Sequence, residues 1–206
     1  KENKNPPLLY NLAELQNDCS KFFKISPDQT LQIVQELYEK KMVTYPRTDA
    51  RVLSTAVAKE IYKNISGLKN YGICSSFASE VLEQGSYKGI AKTRYVNDKQ
   101  ITDHYAIIPT GQGLNNLNSL NPTASKVYET ICRRFLSIFY PPAVYQKVAI
   151  ITGMKGEKFF SNFKVLSEEG YLKVMNYSFF QKNQETAENK GKEAEESEEI
   201  KCDEQF

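Results

Sequence analysis

The amino-acid sequence predicts an α+β chain, a mostly helical unit followed by part of a β-rich one. Three observations carry that expectation. Before residue 140, several segments pair a helix-capping residue with apolar side chains at helical spacing. After Pro141–Pro142 the apolar period changes from helical to two. From residue 182 onward apolar residues nearly vanish and acidic ones accumulate.

The first helix is expected in "ISPDQTLQIVQELYEKKMV". Ser26 serves as N-cap, Pro27 opens the first turn and Asp28 suits the positive end of the helix dipole. Leu31, Val34, Leu37 and Tyr38 form its apolar side, and Lys40–Lys41 mark its end. A second helix starts at Ser54, carries Val57, Ile61 and Ile65 on one side, and stops before Gly67. "SSFASEVLEQG" is a shorter third, ending at Gly85. Residues 86–121 are rich in Gly, Asn, Asp and Thr and read as loops with one strand near Arg94–Val96. In "NPTASKVYETICRRFLSIFYPP" Asn121 caps and Pro122 opens the strongest helix, with Val127, Ile131, Phe135 and Phe139 as its stripe. Cys132 lies on that apolar face and reads as a small buried hydrophobe. "VYQKVAIITGMKGEKFFSNFKVL" reads as strand, turn around Gly153–Gly156, and strand, and "EEGYLKVMNY" as a further strand. One hairpin is rarely stable alone, so the β unit looks incomplete.

Composition narrows the classes. The chain has 206 residues, 40% of them hydrophobic, enough for a real core. No apolar stretch approaches the roughly 18 residues of a membrane span, and the start lacks the pattern of a signal peptide. It also lacks an initiator methionine, as expected of a chain that is processed or cut from something larger. Four scattered cysteines with no C-x-x-C pair argue against zinc and a disulfide framework, and fit a reduced cytoplasm. The net charge of +2 hides an asymmetry: residues 182–206 carry nine acidic and four basic side chains, leaving 1–181 at +7. A moderately basic body is compatible with a polyanionic partner.

The chemistry concentrates in "MVTYPRTDAR". Pro46 keeps Tyr45 out of helical conformation and fixes its direction relative to Arg47. A phenol beside a guanidinium suits attack on a phosphodiester, because the guanidinium can hold the non-bridging oxygens as charge builds. The phenol's proton must leave, or its phenolate be stabilised by positive charge. The only histidine, His104, stands in "ITDHYAIIPTG", a loop position that favours a site over a core.

"ELYEKKMVTYPRTDARVLS" followed by "DHYAIIPTG" resembles the type IA DNA topoisomerases, whose signature is an L-Y-E helix running into T-Y-x-R-T-D, then H-x-A-I-x-P-T. The similarity runs over roughly residues 6–176. The proline after the tyrosine and A-I-I-P-T downstream look more like bacterial topoisomerase III than bacterial topoisomerase I. Two positions depart from the pattern or vary within it: Ala50, where the family often has Ser, and Tyr105.

The resemblance implies that Tyr45 forms a 5′-phosphotyrosyl link to single-stranded DNA. It implies that Arg47 stabilises the scissile phosphate, and that His104 contacts DNA or assists proton movement. Thr44, Thr48 and Asp49 fall on the same signature as DNA-binding positions that arrange the site. Residues 1–141 would be the tyrosine-bearing domain, 142–181 part of a β-rich arch domain, and 182–206 an acidic linker. It further implies Mg²⁺ for the full-length enzyme, bound by a Toprim domain whose D-x-D-x-E cluster does not occur in this chain; no P-loop occurs either, as expected of chemistry that stores bond energy in the phosphotyrosine rather than using ATP. The expected partners are single-stranded DNA and the rest of the protein's own chain; a cytoplasmic monomer without membrane contact is expected. Such a piece alone would bind DNA weakly and relax nothing.

Two other readings use the same residues. A non-catalytic module would hold single-stranded DNA and stack Tyr45 on a base. Metal-dependent relaxases need several histidines, and recombinases an H-x-x-R pair; here one histidine exists and Ile107 stands three residues after it.

Overall fold

The computed structural model describes residues 1–154 and 157–180. The chain divides into two compact units, Lys1–Met175 and Asn176–Phe206. In the second, Tyr177 and Phe179 stack at 5.1 Å. The acidic stretch 182–206, Cys202 and residues 155–156 of the expected turn lie outside the described residues.

The first unit contains five α-helices and a three-stranded antiparallel sheet among the described residues. Helix α1, Leu12–Phe23, begins where the Asn11 side chain accepts a hydrogen bond from Glu14 N, and ends at Lys24 in left-handed conformation. Helix α2, Pro27–Glu39, carries a full capping box between Ser26 and Gln29. Helix α3, Thr55–Leu68, is capped by Ser54, and α4, Ser75–Gln84, ends at left-handed Gly85. Helix α5, Pro122–Ser137, is capped by Asn121 and is buried on nearly every side from Val127 to Ser137.

The polar residues of α5 are buried but paired. Arg133 Nε meets Glu129 at 2.7 Å, and its Nη1 donates to the Val174 carbonyl. Arg134 meets Asp18 at 3.0 Å and lies over the Tyr10 ring at 4.2 Å, while the Tyr10 hydroxyl donates to Asp18. Removing one partner of such a pair would strand a buried charge. Cys132 is fully buried, as the apolar face of α5 requires, and Cys19 and Cys74 are buried too.

Strand β1, Glu2–Lys4, edges β2, Ala143–Met154, which pairs in turn with β3, Glu157–Glu168. The long hairpin is thus joined by a third strand from the start of the chain, which local periodicity does not reveal.

Four expectations are corrected. Residues 86–121 hold short 3-10 turns at Ser86–Lys92, Asp98–Gln100 and Leu114–Ser119, and the strand expected at Arg94–Val96 reduces to a single bridge between Leu53 and Val96. "EEGYLKVMNY" forms a 3-10 turn at Gly170–Lys173. The reason is spacing: Tyr171 and Val174, three apart, are both buried, and Tyr171 N donates to the Pro141 carbonyl. Helix α3 runs through Gly67, because Gly67 packs against the Gly111 backbone, where any β-carbon would collide. Tyr38 is not core: it is 39% exposed.

Candidate active site

The site begins where α2 ends. Lys41 takes φ 61°, Lys41 N donates to Tyr38 O, and Met42 N donates to Leu37 O. This paired closure reverses the chain in the left-handed region, normally a glycine position. Met42 and Val43 then plunge into the core, and Val43 bridges Pro109.

Two threonines fix the segment beyond Val43. Thr44 N donates to Ile108 O at 3.0 Å. Its hydroxyl donates to Ala106 O at 3.1 Å and accepts from Ile108 N at 2.9 Å. Thr48 uses its hydroxyl in the same double sense, donating to His104 O at 2.8 Å and accepting from Ala50 N at 3.1 Å. Residues 44–48 are therefore fastened at both ends to residues 104–108. The outer side of the segment is held as well: Asn11 donates to Asp49 O, and Leu12 N to Thr48 O.

That double fastening brings Tyr45 to His104. Their ring centroids lie 4.4 Å apart at a 42° tilt. Tyr38, reaching back from the last turn of α2, meets the Tyr45 ring at 5.4 Å and 80°. Among the described residues the Tyr45 hydroxyl makes no hydrogen bond, so the phenol oxygen is available to a ligand.

Tyr45 and His104 line an open cleft of about 540 Å³ with Tyr38, Lys41, Thr44 and Tyr105. Burial pushes the Tyr105 phenol above its ordinary range, so Tyr105 stays protonated. Arg47 is exposed, stands outside the cleft lining and makes no ion pair among the described residues. Asp49 is exposed on the same segment. The structure thus joins Tyr45, His104, Thr44 and Thr48 directly; Arg47 and Asp49 lie on the same segment with exposed side chains. Sequence reasoning assigned Tyr38 to the apolar stripe of α2 and Lys41 to the helix end, whereas both line the cleft beside Tyr45. The signal was available in the L-Y-E stretch.

Among the described residues no three His, Cys, Asp or Glu side chains converge as a metal-binding group.

The matching family model is described as DNA topoisomerase and covers residues 1–206. DNA topoisomerase 3 of Bacillus subtilis is 38% identical over 173 residues, 82% of this chain, and DNA topoisomerase 3 of Bacillus licheniformis is 35% identical over 175 residues, 84% of it. The chain spans 23% of the length of each of these relatives. Among solved structures, full-length topoisomerase I from Thermotoga maritima superposes with a TM-score of 0.58 over 86% of this chain and 28% of its own, at 23% identity, a likeness of fold.

Proposed function

Since the chain belongs to the type IA DNA topoisomerases and is topoisomerase III-like, we propose that it supplies the nucleophile with which the whole enzyme cuts and rejoins one DNA strand. The observation that supports this most is the pairing of a phenol facing the cleft with an imidazole at 4.4 Å, on a segment fastened at both ends.

In this reading Tyr45 Oη attacks a backbone phosphorus of single-stranded DNA. The Oη–P bond forms, the P–O3′ bond breaks, the phenol proton is lost and the departing 3′-oxygen gains one. The reverse attack by the 3′-hydroxyl reseals the strand, so no nucleotide cofactor is consumed. His104, beside the phenol, assists proton movement or holds DNA. Arg47, exposed and without an ion pair among the described residues, stabilises the charge that builds on the phosphate. Thr44 and Thr48 serve DNA binding by holding Tyr45 in place, and Asp49, exposed on the same segment, contributes to it. Mg²⁺, in the same reading, is bound by a Toprim domain of the full-length protein. Residues 1–141 act as the tyrosine-bearing domain and residues from 142 begin the arch. The intact protein works in the cytoplasm as a monomer, and this chain alone relaxes no DNA.

The test uses the full-length protein with Mg²⁺ and a 3′-labelled single-stranded oligonucleotide, quenched with detergent. Label is expected on the protein and absent for Tyr45→Phe. An unlabelled but folded, DNA-binding parent would favour the alternative, a non-catalytic single-stranded DNA module. Relaxation of supercoiled DNA by the 206-residue chain alone would contradict the division of labour.

A further inference from the structure

The Tyr45 side chain has ring contacts but no hydrogen bond of its own among the described residues. Two rings meet it, His104 at 4.4 Å and Tyr38 at 5.4 Å. His104 lies in an exposed loop, whereas Tyr38 stands on the last turn of a helix whose end is closed by two backbone hydrogen bonds.

Nothing in α2 itself calls for an aromatic side chain there. Val34 and Leu37 already bury the helix against the core, while Tyr38 remains 39% exposed. Leucine would favour the helix more than tyrosine does. The ring turns instead across the reversal at Lys41 onto the Tyr45 ring, at the 80° angle that aromatic pairs prefer. Small errors in the direction of attack are costly, because the reacting oxygen must line up with the bond it displaces.

We propose that Tyr38 is a positioning residue, which together with His104 holds the Tyr45 ring so that the phenol oxygen is directed at the scissile phosphate. This rests on Tyr45 being the nucleophile. The ring of Tyr38 matters and its hydroxyl does not, so Tyr38→Phe should behave as wild type while Tyr38→Leu should not.

The test compares Tyr38→Leu and Tyr38→Phe in the full-length protein by single-turnover cleavage of a labelled single-stranded oligonucleotide. Tyr38→Leu should cleave roughly tenfold more slowly with unchanged oligonucleotide affinity, and Tyr38→Phe should restore the rate. A wild-type rate for Tyr38→Leu overturns the proposal. So does a loss confined to affinity, which would make Tyr38 a base contact. A second readout does not depend on cleavage: the ring resonances of Tyr45 in the 206-residue chain carry the ring current of Tyr38. They should move in Tyr38→Leu and stay in Tyr38→Phe, and their indifference to Tyr38→Leu would refute the contact. If wild-type protein forms no covalent product, the nucleophile assignment fails by itself, and these resonances still decide the contact.

Discussion

The Tyr45 segment and the β2–β3 hairpin are both extended chain, yet they are held in opposite ways. The hairpin is held by its own ladder and exposes apolar side chains on both faces: Ile150 on one, Ile151 and its cross-strand partner Phe160 on the other. The Tyr45 segment has almost no ladder. Single bridges at Val43 and Leu53 flank it, and between them threonine hydroxyls do the fastening. A regular ladder fixes a strand but aims no particular side chain. Two side-chain anchors, four residues apart, fix one loop residue between them while leaving its functional face open.

Four variants probe that contrast. Arg47→Ala removes an exposed guanidinium that makes no ion pair among the described residues, so the fold should be unaffected while single-turnover cleavage by the full-length protein falls about 10²–10³-fold. An equal loss of thermal stability would show that Arg47 belongs to the scaffold. Gly67→Ala places a β-carbon against the Gly111 backbone, beneath the loop whose Pro109 carbonyl accepts from Asn64. Despite alanine's better helix propensity, it should cost about 3 kcal/mol in urea unfolding of the chain; a stabilised variant would mean the close approach is not real. Thr44→Val keeps the shape but leaves Ile108 N and Ala106 O, both in buried residues, without a partner. It should cost about 2 kcal/mol by the same measurement. The double change Ile151→Thr with Phe160→Thr, at positions 61% and 69% exposed, should stay within about 1 kcal/mol of wild type. A larger loss there would give the hairpin a burial role that the Lys1–Met175 unit does not show.

Much of this arrangement is legible in the sequence, and the failures have physical reasons. Helices α2, α3, α4 and α5 announce themselves because cap chemistry and apolar spacing agree, as at Ser26–Pro27 and Asn121–Pro122. Helix α1 buries only Leu15 and Cys19, too few to impose a visible period, although Asn11 and Glu14 carried its cap signal. Strand β1 gains its identity from a partner beyond residue 140, which no local pattern encodes. The false strand at "EEGYLKVMNY" arose from β-prone residues whose burial spacing is three. Gly67 looked like a helix end because its role is a contact across the fold. At the site, Tyr45 and His104 were readable from their motifs. Their meeting was not, because it depends on hydroxyl-to-backbone bonds spanning more than fifty residues. Tyr38 shows the remaining limit: an aromatic at helical spacing reads as core until the turn after it is known.

Every role proposed for this segment requires that Tyr45 itself takes the DNA strand. The direct measurement is to trap the covalent product of the full-length protein, digest it with trypsin and nuclease, and sequence the modified peptide by mass spectrometry. Cleavage after Lys41 and Arg47 releases Met42–Arg47, which holds one tyrosine. A nucleotide 5′-phosphate on Tyr45 in that peptide is the predicted result. An adduct on another residue, or an unmodified peptide from protein that has cleaved its substrate, would contradict the assignment of Tyr45 as nucleophile.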